Sequence, residues 1–101
     1  MRFIENIFVS ESIEDLNTVL YSLKRNIPVF NIYIISSDEN GRLEVMPSAE
    51  YLGRFGKWEE KTVCGVAAGK LSAYRLLTEI IDYGTTQGWK ADEIGLNILK
   101  E

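Results

Sequence analysis

The most regular pattern of apolar and polar positions in the chain extends from Lys61 to Gly84. Its first part, Thr62–Ala67, is a short apolar run and predicts a β-strand. After a glycine-containing turn, apolar residues recur at i, i+3, i+4, i+7 and i+8, which predicts an amphipathic helix. The expected core-facing side consists of Ala73, Leu76, Leu77, Ile80 and Ile81, and the expected solvent-facing side of Arg75, Thr78, Glu79 and Asp82. We therefore expect this strand and helix to form the middle of the core.

A strand followed by a helix is predicted at the N-terminus. The strand, Phe3–Val9, is rich in Phe, Ile and Val. Ser12 is placed as the helix N-cap, and Asp15 follows three residues later in the capping-box position. Pro28 is expected to end the helix. The predicted apolar face of this helix consists of Ile13, Leu16, Leu20, Leu23 and Ile27.

Two paired strands are predicted in the middle of the chain. Val29–Ser36 carries apolar residues on both faces, with Phe30, Ile32 and Ile34 on one side and Val29, Tyr33 and Ile35 on the other. Such a strand is typical of a central position in a sheet. Asn40-Gly41 predicts a type I′ hairpin turn, because both turn positions need a positive φ. Arg42–Met46 is the partner strand, and Ser48 is expected to cap one short helical turn.

The C-terminal residues fit two patterns. Ala91, Ile94, Ile98 and Leu99 have helical spacing, whereas Ile94, Leu96 and Ile98 alternate as in a strand. The helix is the favoured interpretation. The element order is then β-α-β-β-β-α plus a short C-terminal helix, which predicts a small two-layer α+β sandwich with its helices on one face of a mainly antiparallel sheet. A terminal strand would instead give a ferredoxin-like arrangement.

Composition narrows the class of protein. The 101 residues correspond to a single domain, residues 1–101, and the net charge of −4 argues against general binding of nucleic acid. With one cysteine there is no internal disulfide, and the absence of histidine removes the commonest general base and metal ligand. We expect no signal peptide, because Glu5 interrupts the N-terminal apolar run, and no membrane helix, because no apolar stretch reaches the ~20 residues that one needs. We expect a soluble cytoplasmic protein without a metal or cofactor, and the sequence leaves an enzyme open without favouring one.

The segment Gly65–Lys70 is a candidate anion site. A strand, two glycines and a helix N-terminus can present backbone N–H groups and a lysine to a phosphate. The segment departs from a P-loop, because three residues separate its glycines and Leu71 stands between Lys70 and Ser72. The alternative function is therefore a small transferase or cofactor-binding domain that holds acyl-CoA or a nucleotide at Gly65, Gly69, Lys70 and Ser72. Close packing of helix on sheet explains the small residues better.

A second candidate site is a segment in which aromatic and basic residues alternate. It consists of Tyr51, Arg54, Phe55, Lys57 and Trp58. This composition is typical of a protein interface, although the rings also suit a role in covering the open edge of the core, which is the favoured interpretation. Glu59 and Glu60 make a protein a better partner than nucleic acid.

Cys64 lies within the predicted apolar strand Thr62–Ala67, where a cysteine behaves as a small hydrophobic residue. Without a histidine to activate it, we expect a structural role. The favoured function is therefore a small non-catalytic protein-interaction or regulatory module, of the size and charge of regulators, immunity proteins and inhibitors. The identity of its protein partner is open, and so is homo-oligomerisation.

Overall fold

The computed structural model describes residues 2–53 and 61–100. Its strands are β1 (Arg2–Val9), β2 (Ile32–Ser37), β3 (Leu43–Pro47) and β4 (Thr62–Ala68). Its helices are α1 (Leu16–Lys24), α2 (Ser48–Gly53), α3 (Lys70–Thr86) and α4 (Ile94–Ile98), and a 3-10 helix (Ala91–Glu93) leads into α4. The predicted α+β class is confirmed, and so is the helical interpretation of the C-terminal residues.

The described strands form one mixed sheet in the order β1-β4-β2-β3. β1 and β4 are parallel. β2 is antiparallel to both of its neighbours, β4 and β3. The sheet is therefore mainly antiparallel, as predicted. β2 has a neighbour on each side, which agrees with the apolar residues on both of its faces.

The helices are distributed over both faces of the sheet. Successive side chains of a strand point to opposite faces, so Ile34 and Ile35 of β2 face different ways. Ile35 packs with Leu76 of α3 and with α4. Ile34 packs with Leu23 of α1 and with Tyr51 of α2. This distribution differs from the expected placement on one face, because the second apolar face of β2 also needs a cover and α1 and α2 provide it.

Helix α1 begins later than the sequence predicts. Its N-cap is Asp15 rather than Ser12: the backbone N–H of Thr18 donates to Asp15 Oδ1 at 3.1 Å, and the Thr18 hydroxyl donates to Oδ2 at 2.7 Å. These hydrogen bonds lower the pKa of the Asp15 carboxyl. Ser12 instead accepts a hydrogen bond from the backbone N–H of Ala68 at 2.9 Å and so ties the segment before α1 to β4.

Helix α1 also ends before Pro28 is reached. Asn26 has a φ of 60°, a left-handed conformation that terminates the helix, and Lys24 is its last residue. Ile27 therefore lies outside the helix and is half exposed, although the sequence pattern placed it on the apolar face.

The predicted hairpin between β2 and β3 is present, but its turn is of another type. The Asp38 N–H donates to the Arg42 carbonyl, and the Gly41 N–H donates to the Asp38 carbonyl. The loop between Asp38 and Arg42 is thus one residue longer than a type I′ turn. Gly41 has a φ of 81°, whereas Asn40 is not among the described residues with a positive φ. This geometry is the three-residue loop that ends on a glycine.

Candidate interaction surfaces

The residues before β2 form a turn that places a phenylalanine in solvent. The sequence predicts a strand from Val29, but β2 begins at Ile32 because Asn31 has a φ of 61°. The Ile32 N–H donates to the Val29 carbonyl at 3.2 Å, which closes a β-turn with Phe30 and Asn31 at its two central positions. Phe30 is 96% exposed, the highest value among the large hydrophobic residues that the structure describes. We refer to residues 29–32 as the Phe30 turn.

The backbone of the Phe30 turn is held on both sides. The buried Ser48 hydroxyl accepts a hydrogen bond from the Val29 N–H at 2.9 Å and lies 2.8 Å from the Val29 carbonyl, to which it donates. On the other side of the turn, the Gly69 N–H donates to the Asn31 carbonyl at 2.8 Å. Phe30 therefore projects from a backbone that α2 and the β4–α3 connection fix in place.

A shallow depression adjoins the Phe30 turn. Beyond the turn itself, its lining comes from Pro28, Tyr33, Pro47, Ser48 and Ala49. The depression contains no charged side chain among these residues, so the projecting ring and its surroundings form a mainly apolar surface.

A second apolar surface lies along one flank of α3, beside the residues that enter the core. It consists of Leu71, Tyr74, Thr78, Ile81 and Thr85, which we call the outer row. Leu71 is 67% exposed, Tyr74 49% and Ile81 40%. The sequence pattern placed Ile81 on the core-facing side. This placement is corrected, because Ala73, Leu76 and Ile80 are the residues that enter the core beside the sheet.

The threonines of the outer row add apolar surface to it. The Thr78 hydroxyl donates to the Tyr74 carbonyl at 3.1 Å, and the Thr85 hydroxyl donates to the Ile81 carbonyl at 3.0 Å. Both hydroxyls are thus engaged within the helix. The methyl group of each threonine forms no hydrogen bond and is the apolar part that the threonine adds to the row.

The aromatic and basic segment predicted from the sequence is described only at its first residue. Tyr51 is 2% exposed and packs among Val19, Leu23 and Ile34, so its ring belongs to the core. Burial raises the pKa of Tyr51 to about 12. Arg54, Phe55, Lys57 and Trp58 lie outside the described residues.

The four residues of the predicted anion site do not form one pocket. Gly65 is buried in β4, where an added Cβ would approach Leu76 Cδ2 to 3.1 Å and the Phe8 carbonyl to 3.2 Å. Close packing of α3 on the sheet accounts for this glycine. Gly69 has a φ of 90° and its N–H is already donated to Asn31, while Lys70 is exposed at the start of α3.

Ser72 lines a different depression, which it shares with Arg75 and with two carboxylates, Glu11 and Glu79. The two carboxylates disfavour an anion there.

Cys64 is fully buried in the cluster beneath α3. It lies at an irregularity of β4, because Ile35 pairs with Gly65 while the next residue of β2, Ser36, pairs with Val63. Its Sγ donates to the Thr62 carbonyl at 3.6 Å, and burial raises the pKa of the thiol to about 12. A thiol in this state is a poor nucleophile at neutral pH.

Within residues 2–53 and 61–100, no group of three or more potential metal ligands lies together. In the same ranges, no helix has the length and hydropathy to cross a membrane. Comparison of the chain with protein-family models, with curated proteins and with solved structures finds no match in any of the three.

The sequence pattern did not single out Phe30 as a surface residue, because Val29–Ser36 alternates as a strand does. One signal was present. Asn26 and Asn31 bracket Pro28, and asparagine is the residue other than glycine that most readily takes a left-handed conformation. Two such residues around a proline indicate an irregular connection rather than the start of a strand.

Proposed function

We propose that the protein is a small non-catalytic interaction module of the cytoplasm, and that it binds a protein partner through the Phe30 turn. The observation that carries this proposal is the combination of a 96% exposed phenylalanine with a backbone held by Ser48 and Gly69. The acidic net charge of −4 and the small size agree with a regulator, an immunity protein or an inhibitor.

The energetics of an exposed phenylalanine support a binding role. Burial of such a side chain stabilises a protein or a complex by roughly 1.5–3 kcal/mol. In the chain on its own Phe30 is exposed, so this stabilisation is gained only when a partner covers the ring. Because hydrogen bonds already hold the turn, a partner that covers Phe30 need not order the backbone first. Aromatic anchors of this kind commonly dominate the binding energy of an interface.

The described chemistry gives less support to the alternative, a transferase or cofactor-binding domain. The Gly69 N–H has a protein acceptor, and Ser72 shares its depression with two glutamates and a single arginine. The thiol of Cys64 is buried and its pKa is raised to about 12. Arg54, Phe55, Lys57 and Trp58 stay part of the proposed binding surface on the strength of their sequence pattern alone.

The test is affinity capture with Phe30→Ala beside the wild-type chain, followed by mass spectrometry of the bound proteins. We expect a partner to be recovered by the wild type and depleted at least about 30-fold with Phe30→Ala, the factor that a loss of about 2 kcal/mol produces. The melting temperature should be unchanged, because Phe30 makes little contact with the fold.

Tyr21→Ala is the matched control, since Tyr21 is also aromatic and 59% exposed but lies on α1 and does not line the depression beside the turn. It should retain the partner. Equal recovery with Phe30→Ala and wild type would contradict the proposal, as would loss of the partner with both variants.

A further inference from the structure

The outer row of α3 has the spacing by which helices pair. Along the 17 residues of the helix, the row advances in alternating steps of three and four residues: Leu71, Tyr74, Thr78, Ile81 and Thr85. Two helices pack side by side through such a repeat. Within the described chain this side of α3 is exposed at Leu71, Tyr74 and Ile81.

Opposite charges border the outer row on one side. Arg75 and Asp82 directly follow Tyr74 and Ile81, so they occupy equivalent flanking positions seven residues apart. That separation is about 10 Å along a helix axis, too far for the two to pair with each other. Neither forms an ion pair within 4.0 Å with a residue that the structure describes, although Arg75 shares a depression with Glu11 and Glu79.

We propose that the outer row binds a second copy of this chain in an antiparallel arrangement, with a two-fold axis close to Thr78. In this arrangement the N-terminal half of one α3 lies beside the C-terminal half of the other. Arg75 of each copy is then next to Asp82 of the partner subunit, and the two-fold axis produces this pair twice. In a parallel arrangement the two flanking positions would lie on opposite sides of the helix pair, so Arg75 would not reach Asp82 of the partner subunit.

This inference goes beyond the proposed function, because the outer row and the Phe30 turn share no residue. The row is short and two of its five members are threonines, so the association should be weak. The flanking charges decide the orientation of the two helices more than the strength of the dimer.

Sedimentation equilibrium of the full chain at low salt, from about 10 μM to about 1 mM, tests the proposal. We expect a monomer–dimer equilibrium for the wild type. Arg75→Glu and Asp82→Arg should each weaken the dimer about fivefold or more, because each places like charges opposite each other. The double variant Arg75→Glu/Asp82→Arg should recover most of the wild-type affinity.

Two variants serve as controls. Lys24→Glu introduces the same kind of charge change on α1, which packs on the other face of the sheet, and should leave the dimer unchanged. Phe30→Ala should also leave it unchanged. A monomer at every concentration, a double variant as weak as the single ones, or loss of the dimer with Phe30→Ala would each overturn the proposal. The first two results leave the Phe30 binding surface untouched.

Discussion

Helix α3 contains two apolar rows that differ in what they contact. The inner row, Ala73, Leu76, Ile80 and Gly84, is buried against the sheet and α4. The outer row is largely exposed, although it too repeats at steps of three and four residues. The inner row therefore stabilises the fold, whereas the outer row is available to a partner.

The difference between the rows shows what determines the buried side of a helix. Both rows have helical periodicity, so periodicity identifies the helix without choosing between them. Contact with the sheet determines which of the two rows is buried. Gly65 in β4 has no side chain, and a Cβ at this position would approach Leu76 Cδ2 to 3.1 Å and the Phe8 carbonyl to 3.2 Å, so the glycine lets the inner row pack closely on the sheet.

The largest expected effect is the loss of an inner side chain. Leu76 is 2% exposed, and Leu76→Ala should lower the free energy of unfolding by about 2–5 kcal/mol, because it removes buried methyl groups and leaves a cavity. Urea denaturation followed by circular dichroism measures this change. Glu79→Ala, an exposed position of the same helix, is the control and should stay within about 0.5 kcal/mol of the wild type. Equal losses for the two variants would mean that the inner row is wrongly assigned.

A smaller effect is expected at alkaline pH, from the thiol beneath the inner row. The pKa of Cys64 is about 12 in the folded chain against an ordinary value of 9.0. Between these values the unfolded chain releases its proton and the folded chain keeps it, so stability is complete below pH 9 and falls as the pH rises towards 12. At pH 10.5 this loss should amount to about 1–2 kcal/mol.

Urea denaturation at pH 8 and at pH 10.5 measures the loss, with Cys64→Ala as the comparison. Tyr51, whose pKa is raised to about 12 mainly by burial, also contributes a loss of stability in both proteins, so most of its contribution cancels; only the smaller part of its shift that comes from the charge of Cys64 is absent in Cys64→Ala. If the wild type and Cys64→Ala lost the same amount of stability, the thiol would not be buried as described.

The sequence predicts most elements of the fold because long periodic segments determine them. β1 and β4 lie within one residue of their predicted bounds, and α3 ends two residues beyond the predicted Gly84. The details that the sequence pattern did not predict, the start of α1 and the type of the hairpin turn, depend on local hydrogen bonds. Thr18 supplies two hydrogen bonds to Asp15, which selects Asp15 over Ser12 as the cap of α1. A third loop residue replaces the type I′ turn before β3.

The candidate surfaces were harder to predict from the sequence. Phe30 fits the alternation of a strand, and its exposure follows from the left-handed conformation of Asn31 and the anchoring by Ser48, which comes from a distant part of the chain. Ile81 fits the apolar face of α3 until the position of the sheet is known. In both cases the decisive contact is between residues that are not neighbours in sequence.

Two adjacent isoleucines provide the most direct test of the division of α3 into a buried inner row and an exposed outer row. Ile80 is fully buried, whereas Ile81 is 40% exposed in the outer row. At a few micromolar, where the proposed dimer is dissociated, Ile80→Ala should lower the free energy of unfolding by about 2–5 kcal/mol and Ile81→Ala by about 1 kcal/mol or less. A loss for Ile81→Ala as large as that for Ile80→Ala would contradict the account, because the outer row would then be part of the core rather than a surface for binding.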